Sequence, residues 1–265
     1  MAEPPVWAFA TAPETPRHPE VILAVFSTGP LADAADAATD AATDVRTIEA
    51  RLDPAWFAGW RSGSLRAIAE ADLDGELAAL DAADRLHLVS VAPHGPADLG
   101  YLQAAWAQAR SLVARGATTV LDVHAMTYRH GAALAAAEAA FDARREVRII
   151  FETSKERPDG AHALHTRGMR KLGAPDLVAL CTDEDVDLVG EVMTQLVIAV
   201  AGGVDLRAGH QAIDLDPALS WQVVVDDYGL ANLLALNNEA RVLVGDDGAH
   251  LMGAAARLRL ARTQS

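Results

Sequence analysis

Two stretches of the chain gather residue types that do chemistry. In "TVLDVHAMTYRHG", residues 119 to 131, Asp122 and His124 stand two apart. An extended strand sets both side chains on one face, where the strand runs out into a loop that carries His130. A carboxylate beside imidazoles is the equipment of an acid/base pair or of a divalent-metal site. The simpler use of the same residues is an Asp–His hydrogen bond at a strand end. Metal centres take more ligands than this spacing offers, and a lone cysteine, Cys181, excludes a thiolate zinc cluster. No metal and no cofactor are expected.

The second stretch, "HALHTRGMRKLGAPDL", residues 162 to 177, places His165, Arg167, Arg170 and Lys171 together in a chain that is otherwise acidic. Those four are the candidates for binding an anion or an acidic partner, because cations gather beside a helix start. The same residues also read as a joint. "AHAL" suits a short strand, Thr166 an N-cap, Gly173 a helix stop, and Pro175 bars continuation. In the short helix between, Met169 and Leu172 share an inner face, while Arg167, Arg170 and Lys171 point largely outward. His162 and His165 fall on opposite faces of a strand that runs through both, which weakens a His-x-x-His metal reading. The joint accounts for more of the residues than the site does.

The elements that must position these groups alternate between strand and helix. Buried strands are expected at 21–26, 86–92, 118–124, 147–152 and 176–181, sharing one core with a helix over 97–115 packed on it. The stretch from 86 to 124 reads as a βαβ unit, with Gly116 stopping the helix and the two strands parallel. "GPLADAADAATDAATD" predicts a helix with aspartates 33, 36, 40 and 44 on a solvated face. Trp56, Phe57 and Trp60 are expected to anchor a connection to the core. The "GDDG" run at 245–248 predicts a hairpin turn. Asp226 and Asp227, beside Tyr228, join Asp122 and His124 only if the fold brings them there. The fold class is α+β, a mixed sheet with flanking helices. It forms either one domain over 20–262 or two lobes, 20–153 and 161–262, joined near the polar segment 154–160, after a proline-rich start at 1–19.

Composition narrows the function classes. The chain has 265 residues, 51% of them hydrophobic, with 22 basic against 37 acidic side chains and a formal charge of −15. That charge repels nucleic acid and anionic membranes and favours a basic protein partner. One cysteine permits no intrachain disulfide, and no membrane span or leader is legible, so a cytoplasmic protein is expected. Phosphate-loop, dinucleotide and nucleophile-elbow patterns are missing.

The run "HTRGMRKLGAPDL" resembles a Thr-x-Gly-apolar-x-Lys-aromatic-Gly-x-Pro-acidic-apolar signature of bacterial families known only as domains of unknown function. "ARGATTVLDVHAMTY" is similar to a second stretch of those families, and Leu172 departs from the aromatic position. The resemblance implies an α+β fold of bacterial origin and no reaction. The residues leave two functions open. One is a non-catalytic binding protein, an immunity-type or accessory factor. The other is a hydrolase, metal-dependent or not, built on Asp122 and His124 with His130.

Overall fold

The structure is a computed structural model that describes residues 7–10, 13–14, 16–31, 43–135, 141–152, 162–206, 221–227 and 229–245. The chain divides into two compact units, one of residues 1–12 and 16–142 and the other of residues 13–15 and 143–265. Each unit has its own sheet and helices, an α+β arrangement. The five expected strands therefore do not share a core. Three of them build the first sheet and two the second, because the division between the units falls at residues 142–143, ahead of β6 (Arg148–Glu152).

Unit one contains β1 (Val21–Ser27), β2 (Thr43–Glu49), helices α1 (Pro54–Gly59), α2 (Gly63–Asp72) and α3 (Ala78–Ala82), β3 (Arg85–Val91), α4 (Gly100–Ala114), β4 (Ala117–Asp122), β5 (Thr127–His130) and α5 (Gly131–Ala135). Its described strands form an antiparallel sheet in the order β2-β3-β1-β4-β5. Strand β1 is central, and its unbroken apolar run is buried on both faces. On one side Ala24 and Phe26 meet Phe57 of α1, Ala69 and Leu73 at the end of α2, and Leu80 of α3. Helix α4 packs on β1, β3 and β4 through Leu102, Trp106, Ala109 and Leu112, whose helical spacing makes one apolar stripe. Strands β3 and β4 run parallel, as expected of a βαβ unit, but β1 is inserted between them and is antiparallel to both.

Two expectations need correction in unit one. Asp44 belongs to the edge strand β2, not to an acidic helix, and residues 32–42 of that helix lie outside the described residues. Trp56 does not anchor the core: Phe57 is buried, Trp60 is half-buried, and Trp56 is exposed. A helix turn puts neighbouring residues on different faces, so one of the aromatic pair had to turn outward.

Unit two contains α6 (Ala143–Glu146), β6 (Arg148–Glu152), β7 (His162–Arg167), a 3-10 helix (Met169–Leu172), β8 (Asp176–Cys181), α7 (Val186–Ala201), β9 (Trp221–Val225), α8 (Leu230–Leu233) and β10 (Ala240–Gly245). The described strands form a mixed sheet in the order β6-β7-β8-β10-β9, with β8 and β10 parallel. Val178, Val242 and Val244 pack with Leu230 on the face that α8 covers. Helix α7 packs on β6, β7 and β8. The proposed "GDDG" turn and Tyr228 fall outside the described residues, except that Gly245 ends β10.

The β7–β8 connection shows why glycine and proline sit where they do. Gly168 (φ 112°) and Gly173 (φ 68°, ψ 30°) bracket the 3-10 helix in the left-handed region. The Gly173 amide donates to the Arg170 carbonyl and the Ala174 amide to that of Met169, the paired bonds that end a helix on a left-handed residue. Thr166 is not the helix cap. It remains inside β7, and its hydroxyl is used across the connection. A side chain at Gly173 meets a penalty of about 1–2 kcal/mol from the left-handed backbone alone. Gly173→Val therefore lowers stability in urea unfolding by at least about 1 kcal/mol, whereas Gly59→Ala, at a helical position with no atom within 4 Å of the new methyl, is neutral or stabilising.

Candidate functional site

At the β4–β5 hairpin the carboxylate of Asp122 is buried, and its Oδ1 accepts the Ala125 amide at 3.0 Å. That bond closes the turn, which also holds Met126 at φ 51°. His124 is buried beside Glu20, with Nε2 3.6 Å from the carboxylate. His130 is not part of this group. The β4/β5 register pairs Asp122 with Thr127 and Thr119 with His130, so His130 is three pairs away and on the opposite face of the sheet. It lies 3.9 Å from Glu76 instead. Among the described residues no three His, Cys, Asp or Glu side chains converge to hold a metal. Asp226 is in the other unit and is spent on α8, accepting the Leu230 and Ala231 amides at 2.9 and 2.8 Å.

The second candidate group is brought together, but facing inward. Lys171 has no exposed surface, and its Nζ lies 2.6 Å from Glu146 Oε2 on α6. Arg167 is buried and donates to the carbonyls of Leu234 and Ala235, at 3.0 and 3.3 Å, capping the end of α8. The outward placement expected for Arg167 and Lys171 is thus corrected. The tight 3-10 turn rotates Lys171 under the connection, where Glu146 meets it. Arg170 is half-buried. His165 is buried with Nδ1 3.3 Å from the Thr166 carbonyl and Nε2 3.4 Å from Glu152. Burial pushes its pKa below the ordinary imidazole value, with Arg167 adding to the shift, so the ring is neutral at pH 7 and offers an anion no charge.

Asp176 organises the connection, and its role was not assigned from the sequence. It is fully buried, and its Oδ1 accepts the Thr166 hydroxyl at 2.9 Å and the Met169 amide at 3.3 Å. The Thr166 oxygen in turn accepts the Leu177 amide at 2.8 Å. Burial pushes the Asp176 carboxyl up to about 6, against the partial offset of Asn238, Thr166, the Met169 amide and Arg167. The Thr-x-Gly and Pro-Asp spacing was the available signal, since it sets a hydroxyl and a carboxylate on the two strands that flank one turn.

One further polar chain was also missed. Ser27 on β1, His87 on β3 and Thr47 on β2 are linked across the sheet, with Ser27 Oγ 3.0 Å from His87 Nε2 and Thr47 Oγ1 2.9 Å from Nδ1. The set imitates a nucleophile with its base. Its protons run the wrong way, because the buried Ser27 hydroxyl donates to the Gly29 carbonyl at 3.1 Å. Nε2–H therefore donates to Ser27, and Nδ1 accepts from Thr47. Burial, with Arg85 nearby, pushes His87 down to about 4, so it is a poor base at neutral pH. Cys181 is equally quiet, pushed up to about 11 by burial and by Asp185 and Asp183.

Compared with known proteins, the chain matches no family model, no curated protein and no solved structure. No helix among the described residues is long and apolar enough to cross a membrane.

Two measurements check this account. Lys171→Met takes the ammonium away from the buried Glu146 carboxylate and lowers stability by about 3–5 kcal/mol, whereas Lys171→Met with Glu146→Leu recovers most of the loss. Chemical unfolding of the single and double variants decides between a buried pair and an outward cation. Asp176 has a folded pKa of about 6 against a reference of 3.8, so the stability it confers is greatest below about 4 and is lost as pH rises to about 6. His87, with its pKa lowered from 6.5 to about 4, acts oppositely, since its contribution is lost as pH falls through that window. Comparison of wild type with Asp176→Asn isolates the aspartate. The amide variant gains on wild type by an amount on the order of 3 kcal/mol between pH 4 and pH 6.5, and a gap that does not change with pH contradicts the assignment.

Proposed function

We propose that this chain is a non-catalytic interaction protein of the bacterial cytoplasm, an immunity-type or accessory factor whose partner is a basic protein. One observation carries the reading. Trp56 is 40% exposed, meets Trp60 edge to face at 5.4 Å between ring centroids, and follows Leu52, which is 68% exposed. Isolated apolar residues are ordinary on a surface, but tryptophan is the residue type that most often anchors an interface.

The local structure holds this corner rigid. Asp53 Oδ1 accepts the Trp56 amide at 3.0 Å, and Pro54 begins α1 with its φ already set for a helix. A preordered anchor loses little conformational entropy on binding. The formal charge of −15 steers a basic partner toward the surface and disfavours nucleic acid and anionic membranes.

The hydrolase reading keeps one supporting contact, the approach of His124 to Glu20 beside the buried Asp122. Asp122 is occupied by the hairpin turn, which favours interaction over catalysis.

Immobilised wild-type protein and a Leu52→Ser/Trp56→Ser variant are to be compared for capture of a basic protein, which is then purified and titrated against both. The expected loss in the variant is about 2 kcal/mol, roughly 30-fold in affinity, and binding of the wild type weakens as salt is raised. Equal affinity for both forms rejects the tryptophan corner. Hydrolysis of ester or phosphoester substrates that disappears in folded His124→Ala replaces the interaction reading with the catalytic one.

A further inference from the structure

Beyond the last hydrogen-bonded pair of β1 and β3, two histidines far apart in sequence meet. The register of these strands pairs Val21 with Val91, and its continuation outward by three residues sets His18 opposite His94. The Gly95 amide donates to the Arg17 carbonyl at 2.8 Å and keeps the two segments side by side past the end of the sheet. Gly95 turns the chain there at φ 56°. The Nδ1 atoms of His18 and His94 are 3.2 Å apart, and the rings stand at 71° with centroids 5.2 Å from each other. The contact is exposed to solvent.

In the metal-free pair, one nitrogen donates the single proton that the other accepts. A metal bound by imidazole at about 2.0–2.1 Å holds neighbouring nitrogens about 2.9–3.4 Å apart, for bond angles between square-planar and tetrahedral. The observed separation lies in that interval. We propose that His18 and His94 form a two-imidazole site for a divalent transition-metal ion of the zinc, nickel or copper class, in which the ion takes the place of the shared proton. Imidazole selects these ions over calcium and magnesium, which take oxygen ligands.

No third His, Cys, Asp or Glu among the described residues completes the set. Glu20, two residues along the chain, is engaged with His124. The site is therefore open, with its remaining positions held by water or by an incoming ligand, which is the pattern of an exchangeable centre and not of a structural one. The acid excess of the chain raises the local concentration of cations. The guanidinium of the neighbouring Arg17 lies 5.1 Å above the Phe9 ring. The site stands apart from the tryptophan corner and does not depend on the interaction reading.

The test uses the full chain without a histidine tag, stripped with a chelator that is then removed. Zn²⁺ and Ni²⁺ are titrated separately by calorimetry into wild type, His18→Gln, His94→Gln and His130→Gln, with circular dichroism melts to show that each variant is folded. Wild type is expected to take up one ion per chain. Loss of either paired histidine should weaken binding by at least about ten-fold, a floor set by what removal of mere outer-shell partners costs, and loss of the half-buried His130, which lies outside the pair, should leave it unchanged. Absence of saturable binding, or binding that survives in both paired variants, overturns the proposal.

Discussion

An ammonium group with no exposed surface constrains unit two more tightly than any apolar contact does. Lys171 lies wholly inside the protein and is held by Glu146. Removing two ions from water costs several kcal/mol each, so the pair is tolerable only while the geometry that joins them is kept. That geometry fixes α6, which carries Glu146, against the connection between β7 and β8, which carries Lys171. Asp176 adds a second requirement on the same segment, since a buried carboxyl needs the Thr166 hydroxyl and the Met169 amide. Gly168 and Gly173 are the backbone positions that let one short turn meet both demands.

Unit one relies on a different device. Its central strand is apolar on both faces, and the polar exception, Ser27, is satisfied through His87 and Thr47 across three strands. Keeping His87 neutral avoids burying a charge beside the Arg85 cation. With the interior settled in this way, groups able to meet a ligand lie at the margins, at Trp56 on α1 and at the paired imidazoles past the end of β1 and β3. Edges and strand ends leave side chains accessible while the sheet holds them in place.

Much of the secondary structure was legible wherever burial imposes a period. Helix α4 shows one apolar stripe, the runs that became β1 and β8 are nearly continuous in apolar residues, and β3 and β4 carry β-branched and apolar residues between polar ones. Strand β2 was illegible because this edge strand buries only Thr43 and carries little apolar signal. The parallel relation of β3 and β4 was legible from the helix between them, but the insertion of β1 was not, because pairing across a long loop leaves no local trace. The candidate site divides in the same way. Glycine, proline and threonine marked a turn after residue 167, while the inward swing of Lys171 depended on Glu146, which belongs to a different element.

The sequence by itself determined the α+β class, the acid excess, the turn at Gly173 and the two-residue spacing of Asp122 and His124, because composition and local periodicity are properties of neighbours along the chain. Only the tertiary structure decided that His130 faces away from Asp122, that Lys171 and Asp176 are buried, and that His18 meets His94. Those outcomes depend on strand register and on the loss of water around charged groups. Both arise when segments distant in sequence are packed together, and neither is encoded in any short stretch of residues.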